Sequence, residues 1–203
     1  MAFIAVDAST NSMAFAIFTC EDTLSAFGKI IYNHSSKSIY DKAGTIGKKS
    51  GSTVSALIER FGVTVMIIEQ PIFANSPLTA SNLALTQGAL VGASIFGGID
   101  RVVGTAPIQW QSFIGNKNLT KAEKDQIKLD NPGQSANLLK VRQREIRKQR
   151  TMDYVNARFG IDITDNDVGD AIGIGCYAWD SGVWNAKEGW DNFLHSPCVL
   201  GIC

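Results

Sequence analysis

The chain has 203 residues, of which 45% are hydrophobic and 19% charged, and its formal net charge is zero. This composition is typical of an ordinary globular protein, and the length predicts one domain, residues 1–203, with a full hydrophobic core. A neutral chain attracts no polyanion as a whole, so binding to nucleic acid would have to come from a local basic segment. The first residues lack the basic stretch and cleavage signal of a signal peptide, and we expect no contact with a membrane.

The opening residues predict a hairpin. An apolar run at residues 2–7 predicts a buried strand, Ser and Thr residues predict a turn, and residues 13–19 predict the second strand. A third strand is predicted at 26–32. Residues 33–51 are rich in Ser, Lys and Gly, which favours a loop or a poorly formed helix start, whereas apolar residues at helical spacing predict a helix over 53–61.

Residues 44–50, Gly-Thr-Ile-Gly-Lys-Lys-Ser, bear a superficial likeness to a phosphate-binding loop. Such a loop requires four residues between its glycines and a Ser or Thr directly after the lysine. This segment has two residues between its glycines and a second lysine after the first. We therefore predict a flexible loop here, with no role in binding phosphate.

The middle of the chain predicts an alternation of strands and helices. Residues 63–69 predict a buried strand, 79–96 a long helix and 101–105 a further strand. With the hairpin and a final helix, this order predicts a mixed α/β fold around a central sheet. If the strands at 2–7 and 63–69 are parallel neighbours, their carboxyl ends meet at one edge of the sheet, where sites form in such folds.

Small residues recur every four positions along the predicted helix at 79–96. They are Ala80, Ala84, Gly88 and Gly92. A flat stripe of this kind lets another element approach closely. Two interpretations stay open: the stripe packs against the sheet of its own chain, or it forms the seam of a homodimer.

Positive charge is concentrated between Lys121 and Arg150. This window holds nine of the 19 Lys and Arg residues, against four acids. Its densest part, residues 140–150, predicts a helix that continues to Phe159. We interpret residues 116–150 as a basic insertion whose charge favours contact with a polyanion, and a solvated helix face is the alternative.

Four acidic residues stand at positions that suit a shared cation. Asp7 and Glu69 end two apolar runs, and Asp167 and Asp170 open a third apolar segment. A carboxylate at the end of a buried strand is costly to desolvate unless a positive group binds it. Asp167 and Asp170 are three residues apart, so they share one face of a helix near its positive N-terminal end.

The chemistry of this set points to a hard divalent cation. Mg²⁺ prefers carboxylate oxygens and water as ligands and needs no His or Cys. The chain has two histidines, so a site made of oxygen ligands is the one that it most readily builds. A pair of such ions about 4 Å apart binds both the attacking water and the leaving oxygen of a phosphodiester. The acids therefore predict a metal-dependent nuclease site.

At four segments the sequence resembles the RuvC-like Holliday junction resolvases, a family with the RNase H-like fold. In chain order these segments are Ile4-Ala5-Val6-Asp7 followed by a Ser/Thr turn, Ile68-Glu69-Gln70, Leu85-Thr86-Gln87-Gly88, and Asp167-Val168-Gly169-Asp170-Ala171. Their order and rough spacing agree with the family over residues 2–115 and 140–179.

The resemblance implies an α/β, RuvC-type fold with a central mixed five-stranded sheet flanked by helices. It implies a homodimeric endonuclease that nicks opposing strands of four-way DNA junctions, with two Mg²⁺ or Mn²⁺ ions per active site held by Asp7, Glu69, Asp167 and Asp170. The family also has a catalytic lysine or arginine beyond the fifth strand. Counting forward from Gly115 indicates Lys121, whereas counting back from Asp167 indicates Lys148, which we favour.

The resemblance also predicts contacts with DNA. In the family an aromatic residue after the Glu-Gln pair inserts at the crossover; here Ile72 has the nearest spacing and Phe73 follows one place later. The predicted contacts are Phe73 and the basic residues Lys117, Lys121, Lys124, Lys140, Arg142, Arg144, Arg147, Lys148 and Arg150.

The insertion and a C-terminal tail at about residues 180–203, which contains Trp184 and Trp190, favour a phage or otherwise divergent member of the family. Such an enzyme would act in the cytoplasm at the nucleoid, or in the host cytoplasm if phage-encoded. Trp184 and Trp190, with Trp179 just before the tail, are expected to pack in a core or a dimer interface rather than to stack on bases.

Two other functions fit parts of this pattern. A non-catalytic junction-binding protein on the same scaffold would have no reason to gather four acids near DNA. An actin-like or hexokinase-like phosphotransferase also begins with an Asp and a Ser/Thr turn, but it needs a second phosphate-binding Asp-Gly hairpin, which the sequence does not show. The nuclease is therefore the favoured interpretation.

Overall fold

A five-stranded sheet with the strand order β3-β2-β1-β4-β5 organises the chain. Strands β1 (Ala2–Ala8), β2 (Ser12–Thr19) and β3 (Ala26–Ile31) form an antiparallel meander, while β4 (Val63–Glu69) and β5 (Arg101–Thr105) run parallel to β1. The predicted hairpin, the parallel pairing of β1 with β4 and the mixed five-stranded sheet are confirmed.

The described residues form six helices around this sheet. They are α1 (Ile39–Phe61), α2 (Pro77–Phe96), α3 (Pro107–Phe113), α4 (Lys121–Asp130), α5 (Ala136–Phe159) and α6 (Asn166–Ser181). The computed structural model describes residues 2–20, 23–34, 38–71 and 76–185. No helix within these ranges is long and apolar enough to cross a membrane.

Helix α1 begins at Ile39, so the prediction of a loop or poorly formed helix start over residues 33–51, with a helix from 53, is wrong there. The segment 44–50 is helical rather than a flexible loop. Ser and Gly lower helix propensity locally, but here small residues serve tertiary packing. A Cβ built on Gly51 would lie 3.4 Å from the Cβ of Ala93 on α2, and Ile46 is buried, so close contact between the helices stabilises the segment.

Helix α2 turns its small-residue stripe outward. Ala84, Gly88 and Gly92 are exposed, and a Cβ built on either glycine would meet no atom within 4 Å. The side that packs inward instead carries Thr86, Leu90 and Ser94. The interpretation that the stripe packs against its own sheet is therefore wrong, and the dimer seam stays a prediction.

Each face of the sheet has its own hydrophobic core. On β1, Phe3 and Ala5 belong to the core under α5 and α6, whereas Ile4 and Val6 belong to the core under α1 and α2. This alternation follows from the two-residue repeat of a strand. It places the next odd residue, Asp7, on the side of α6.

The aromatic residues near the C-terminal end of α6 pack in this first core. Trp179 and Trp184 stack on each other at 5.7 Å between ring centroids, and both stack on Phe3. The prediction of a packing role is confirmed for these two residues. Trp190 and the rest of the predicted tail from residue 186 lie outside the described residues.

Glycines let α6 approach the sheet closely. A Cβ built on Gly175 would collide with the ring of Phe18, and one built on Gly173 would lie 2.9 Å from a ring carbon of Trp110. Both aromatic rings are buried. The separation between α6 and the sheet is therefore set by the thickness of these rings.

The predicted insertion contains two helices, α4 and the N-terminal half of α5. The prediction that residues 140–150 are helical and continue to Phe159 is confirmed, although the helix already starts at Ala136. The two helices are joined by an ion pair of 2.5 Å between Glu123 and Arg150. We call residues 121–150 the α4–α5 arm.

Candidate active site

Two of the predicted site acids come from the ends of neighbouring parallel strands. Val6 pairs with Ile68, so Asp7 on β1 and Glu69 on β4 lie at the same level of the sheet. Ile67 packs in the same core as Phe3 and Ala5, so the two-residue repeat turns both acids toward the same face. That face is the one covered by α6.

The other two acids lie in the first turns of α6. The side chain of Asp165 caps this helix by accepting hydrogen bonds from the amides of Asp167 and Val168. Residues 167 and 170 are one turn apart and share a face of the helix. Since α6 packs on β1 and β2, the cap brings this face to the strand ends that carry Asp7 and Glu69.

The four acids are close enough to perturb one another. Burial raises the pKa of Asp7 to about 8, with further contributions from the negative charges of Asp170, Glu69 and Asp167. Burial also raises the pKa of Asp170 to about 7, and the charges of Glu69 and Asp167 add to the effect. The ionised carboxylates of this site are therefore stabilised only when positive charge is added. Clusters of acids with raised pKa values are typical of functional sites.

Glu69 is held in place by two protein donors. The indole Nε1 of Trp110 on α3 donates a hydrogen bond of 2.6 Å to its carboxylate, and Gln87 Nε2 on α2 donates one of 2.8 Å to its backbone carbonyl. Burial raises the pKa of Glu69, and the bond from Trp110 opposes that rise. The sequence analysis missed Trp110, because a lone Trp on a short helix carries no motif.

Asp167 is paired with a lysine that the sequence analysis also missed. Lys29 on β3 lies 2.8 Å from Asp167 and 3.0 Å from Asp165. The hydrogen bond to Asp167 is the main reason that the pKa of Lys29 is raised. Lys29 therefore holds the start of α6 against β3, and a cation bound by Asp167 would compete with it.

The structure brings Lys148, rather than Lys121, to the acids. The charge of Lys148 on α5 lowers the pKa of both Asp7 and Asp170, although burial outweighs it in each case. Lys121 is exposed at the start of α4 and has no ion pair among the described residues. Thr151, one turn after Lys148, hydrogen-bonds Asp170.

A small open pocket adjoins the acids. Its volume is about 170 Å³, and it is lined by Gln111, Asn116, Arg144, Arg147, Lys148, Thr151 and Asp170. A larger cavity of about 400 Å³ lies between α1 and α2, but its lining includes none of the four acids. The titratable groups therefore mark the smaller pocket, rather than the larger one, as part of the site.

The donor set suits a hard divalent cation, because four carboxylates supply oxygen ligands without His or Cys. Two buried carboxylic acids with raised pKa values gain most from such a cation, since its charge offsets their mutual repulsion. Within the described residues, however, no three acidic, His or Cys side chains converge on one point in this conformation. Glu69 and Asp167 each point one oxygen at a protein donor instead, Trp110 and Lys29 respectively.

Most of the predicted DNA contacts lie on or beside the α4–α5 arm. Those with an exposed side are Lys117, Lys121, Lys124, Lys140, Arg142, Arg144 and Lys148, while Arg147 and Arg150 are half-buried. Two of these cations are paired, Arg142 with Glu145 and Arg150 with Glu123. Phe73 lies outside the described residues.

No protein-family model and no curated protein sequence matches this chain. Its structure is similar to that of Thermus thermophilus RuvC, at 14% sequence identity and a TM-score of 0.59, over 90% of this chain and 97% of that one. It is also similar to T. thermophilus RuvC in complex with a Holliday junction substrate, at 13% identity and a TM-score of 0.60, over 90% and 96% of the two chains. The chain therefore has the RuvC-type, RNase H-like fold, as predicted.

Proposed function

We propose that this protein is an endonuclease that resolves four-way DNA junctions by hydrolysing a phosphodiester in each of two opposing strands. The observation that carries the proposal is the acidic cluster of Asp7, Glu69, Asp167 and Asp170 at one edge of a RuvC-type sheet, where burial and the charges of neighbouring acids raise the pKa values of Asp7 and Asp170. A fold alone does not specify a function. The proposal therefore depends on the chemistry of this edge.

In the proposed reaction, the oxygen of a water molecule bonds to phosphorus and the bond from phosphorus to one sugar oxygen breaks. The water loses a proton and the leaving oxygen gains one. The four carboxylates would hold Mg²⁺ or Mn²⁺, two ions per site, which when bound polarise the phosphate and acidify the attacking water. Lys148 beside Asp7 and Asp170 would balance negative charge that develops on the phosphate.

Trp110 and Lys29 have supporting parts in this proposal. Trp110 is buried and holds one oxygen of Glu69, which fixes the carboxylate and leaves its second oxygen for a cation. Lys29 neutralises Asp167 in the conformation described here. We infer that metal binding exchanges the ion pair between Lys29 and Asp167 for a bond between Asp167 and the metal.

We also propose that the enzyme works as a homodimer joined through α2. This helix contains no charged residue over its 20 positions, and Phe96 at its end is 96% exposed. The exposed side of this helix carries mostly small and apolar residues, and such a surface is normally covered by another element. A two-fold dimer would present two active sites to a substrate that itself has two-fold symmetry.

One experiment tests the nuclease directly. The full-length protein is incubated with an immobile four-way junction, a fork and a linear duplex of the same sequence, each in Mg²⁺ or in EDTA, and the nicks are mapped on every strand. We expect paired nicks near the branch point of the junction, only with Mg²⁺. Tight junction binding without nicks in Mg²⁺ or Mn²⁺ would instead establish a binding protein, and cleavage that ignores branching would remove the proposed substrate.

A further inference from the structure

The α4–α5 arm carries a second cationic pocket, separate from the acids. Its volume is about 280 Å³, and it lies where α4, the loop before it and α5 meet. The lining residues are Asn118, Leu119, Lys124, Lys140, Gln143, Arg144 and Arg147, which include four cations and no acid. We call it the arm pocket.

Ion pairing within the arm leaves these cations available. Glu145 pairs with Arg142, and Glu123 pairs with Arg150. The four cations of the arm pocket have no ion pair among the described residues. Two of the four acids of the arm thus neutralise residues outside the pocket, and no acid among the described residues pairs with its four cations.

Helix periodicity makes the arm pocket continuous with the active site. Lys140, Arg144, Lys148 and Thr151 follow one another at intervals of three or four residues, so they lie along one face of α5. Arg144 and Arg147 line both the arm pocket and the small pocket beside Asp170. One row of cations therefore leads from the acids to the arm pocket.

Arg147 lines both pockets, and not all of its hydrogen-bond donors have a partner among the described residues. Its guanidinium donates to the side chain of Gln111, while its Nε is buried without a hydrogen-bond partner among the described residues. A guanidinium has five donors in a fork that suits phosphate oxygens. The point where the two pockets meet therefore has spare donor capacity for an anion.

We infer that the arm pocket binds a backbone phosphate of the same DNA that the acidic cluster cuts, a few nucleotides from the scissile bond. This inference rests on the proposed function. Lys140 lies eight residues before Lys148, which is about 12 Å along a helix. Successive phosphates on one DNA strand are separated by more than the axial rise of 3.4 Å per nucleotide, so the second phosphate lies no more than about four nucleotides from the first.

The matched variants for this inference are Arg144→Ala and Lys128→Ala. Arg144 is exposed on α5 and Lys128 is exposed on α4, and the loss of either side chain changes the net charge equally. Arg144 lines the arm pocket, whereas Lys128 lines neither the arm pocket nor the small pocket beside Asp170. Alanine favours the helix at either position, and thermal melting confirms that both variants fold.

The experiment measures binding of each variant to a four-way junction in Ca²⁺ by fluorescence anisotropy, across a series of salt concentrations. We expect Arg144→Ala to raise the Kd about tenfold and to lower the slope of log K against log salt by about 1. Lys128→Ala should change the Kd less than twofold. Equal weakening by both variants, or no effect of Arg144→Ala, would overturn the inference, because binding would then depend on overall charge or on other residues.

A second measurement locates the phosphate. Single uncharged methylphosphonate linkages are placed at successive positions on each strand of the junction. We expect one linkage, within about four nucleotides of the mapped nick, to weaken binding of the wild type and of Lys128→Ala but not of Arg144→Ala. If every linkage acts equally on the three proteins, the arm pocket holds no particular phosphate and the inference fails.

Different experimental results would contradict the two proposals. If the protein binds junctions with the expected footprint but makes no nicks in Mg²⁺, the proposed nuclease activity is wrong and the proposed role of the arm pocket is still supported. The position of the sensitive linkage is then counted from the branch point instead of from the nick. If it nicks junctions while Arg144→Ala binds as tightly as the wild type, the arm pocket is wrong and the nuclease stands.

Discussion

The two faces of the sheet differ in where charged residues lie. The face under α3, α5 and α6 gathers four acids at its edge and a row of cations on α5. The face under α1 and α2 ends in a helix that has no charged residue and an exposed stripe of small residues. This contrast is the basis for our proposals that one face carries the chemistry and that the other contacts a second copy of the chain.

The most direct test of this difference between the faces is to change an acid on the charged face. We expect Asp7→Asn to lower the rate of junction cleavage at least about 100-fold, because the amide keeps the shape of the site but removes a negative ligand. The Kd for the junction should change less than threefold. Single-turnover cleavage and anisotropy measure the two effects.

Asp153→Asn is the matched control for this variant. Asp153 lies exposed on α5 and accepts a hydrogen bond from Gln149 that an Asn oxygen also accepts. Its substitution should leave the cleavage rate unchanged. Wild-type cleavage by Asp7→Asn would show that the acidic cluster is not the active site.

The uncharged face is tested by adding a charge to α2. We expect Gly88→Arg to weaken self-association at least about tenfold, because a long cation in the small-residue stripe blocks close approach and is costly to bury. The fold should survive, since Gly88 is exposed and a Cβ there meets nothing within 4 Å. Light scattering across a dilution series gives the dimer fraction.

Gly44→Arg on α1 is the corresponding control. Gly44 is also an exposed helical glycine with nothing within 4 Å of an added Cβ. Its substitution should leave self-association as in the wild type. If both variants remain dimeric, or if the wild type is a monomer, the uncharged face of α2 is not the seam.

A third variant tests the role of a single hydrogen bond on the charged face. We expect Trp110→Phe to lower the cleavage rate about tenfold and to raise the Mg²⁺ concentration needed for half-maximal cleavage, because Glu69 loses its indole donor. Mn²⁺ binding followed by electron paramagnetic resonance provides a readout that does not depend on cleavage.

Trp179→Phe separates this effect from the general loss of an indole. Trp179 stacks in the aromatic cluster at the far end of α6, against Trp184 and Phe3. Its substitution should lower the melting temperature without changing the affinity for Mn²⁺. Equal Mn²⁺ affinities for Trp110→Phe and the wild type would show that the bond to Glu69 does not position a ligand.

The last prediction concerns pH and stability without divalent ions. Asp7 and Asp170 have pKa values of about 8 and about 7 in the folded chain, well above the ordinary value of 3.8 for an aspartate. Between about pH 4 and 8 the folded chain therefore holds protons that the unfolded chain has released, so its stability falls as pH rises. We expect the melting temperature in EDTA to fall across this range because of these two groups.

Asp7→Asn tests the sign of this effect. The variant should match the wild type near pH 4 and melt higher than it at pH 8, and Mg²⁺ should stabilise the wild type more at pH 8 than at pH 5. A wild type that gains stability in EDTA as pH rises from 5 to 8, to the same extent as Asp7→Asn, would contradict the raised pKa values.

The sequence predicted the parts of this molecule that follow a local pattern. The strand ends at Asp7 and Glu69 are visible because apolar runs stop at a charge, and Asp167 is visible because a cap precedes an apolar helix. Once β1 and β4 are paired in parallel, the register places Asp7 and Glu69 at the same level of the sheet.

The features that the sequence does not predict have a different physical origin. The start of α1 was placed too late because Gly and Ser disfavour a helix locally, while contact between Gly51 and Ala93 is formed only in the folded chain. Trp110 and Lys29 act through partners 41 and 138 positions away, Glu69 and Asp167. No local pattern encodes such pairs, so only the three-dimensional structure identifies them.

The glycines of α6 tie the stability of the core to the geometry of the acids. Gly173 and Gly175 rest on the rings of Trp110 and Phe18, so these rings act as spacers beneath the helix that carries Asp170. A methyl group at either glycine would lift α6 and move its carboxylates away from those of β1 and β4. The distance between the carboxylates of α6 and those of the strands therefore depends on two aromatic rings and on the absence of side chains at the two glycines that contact them.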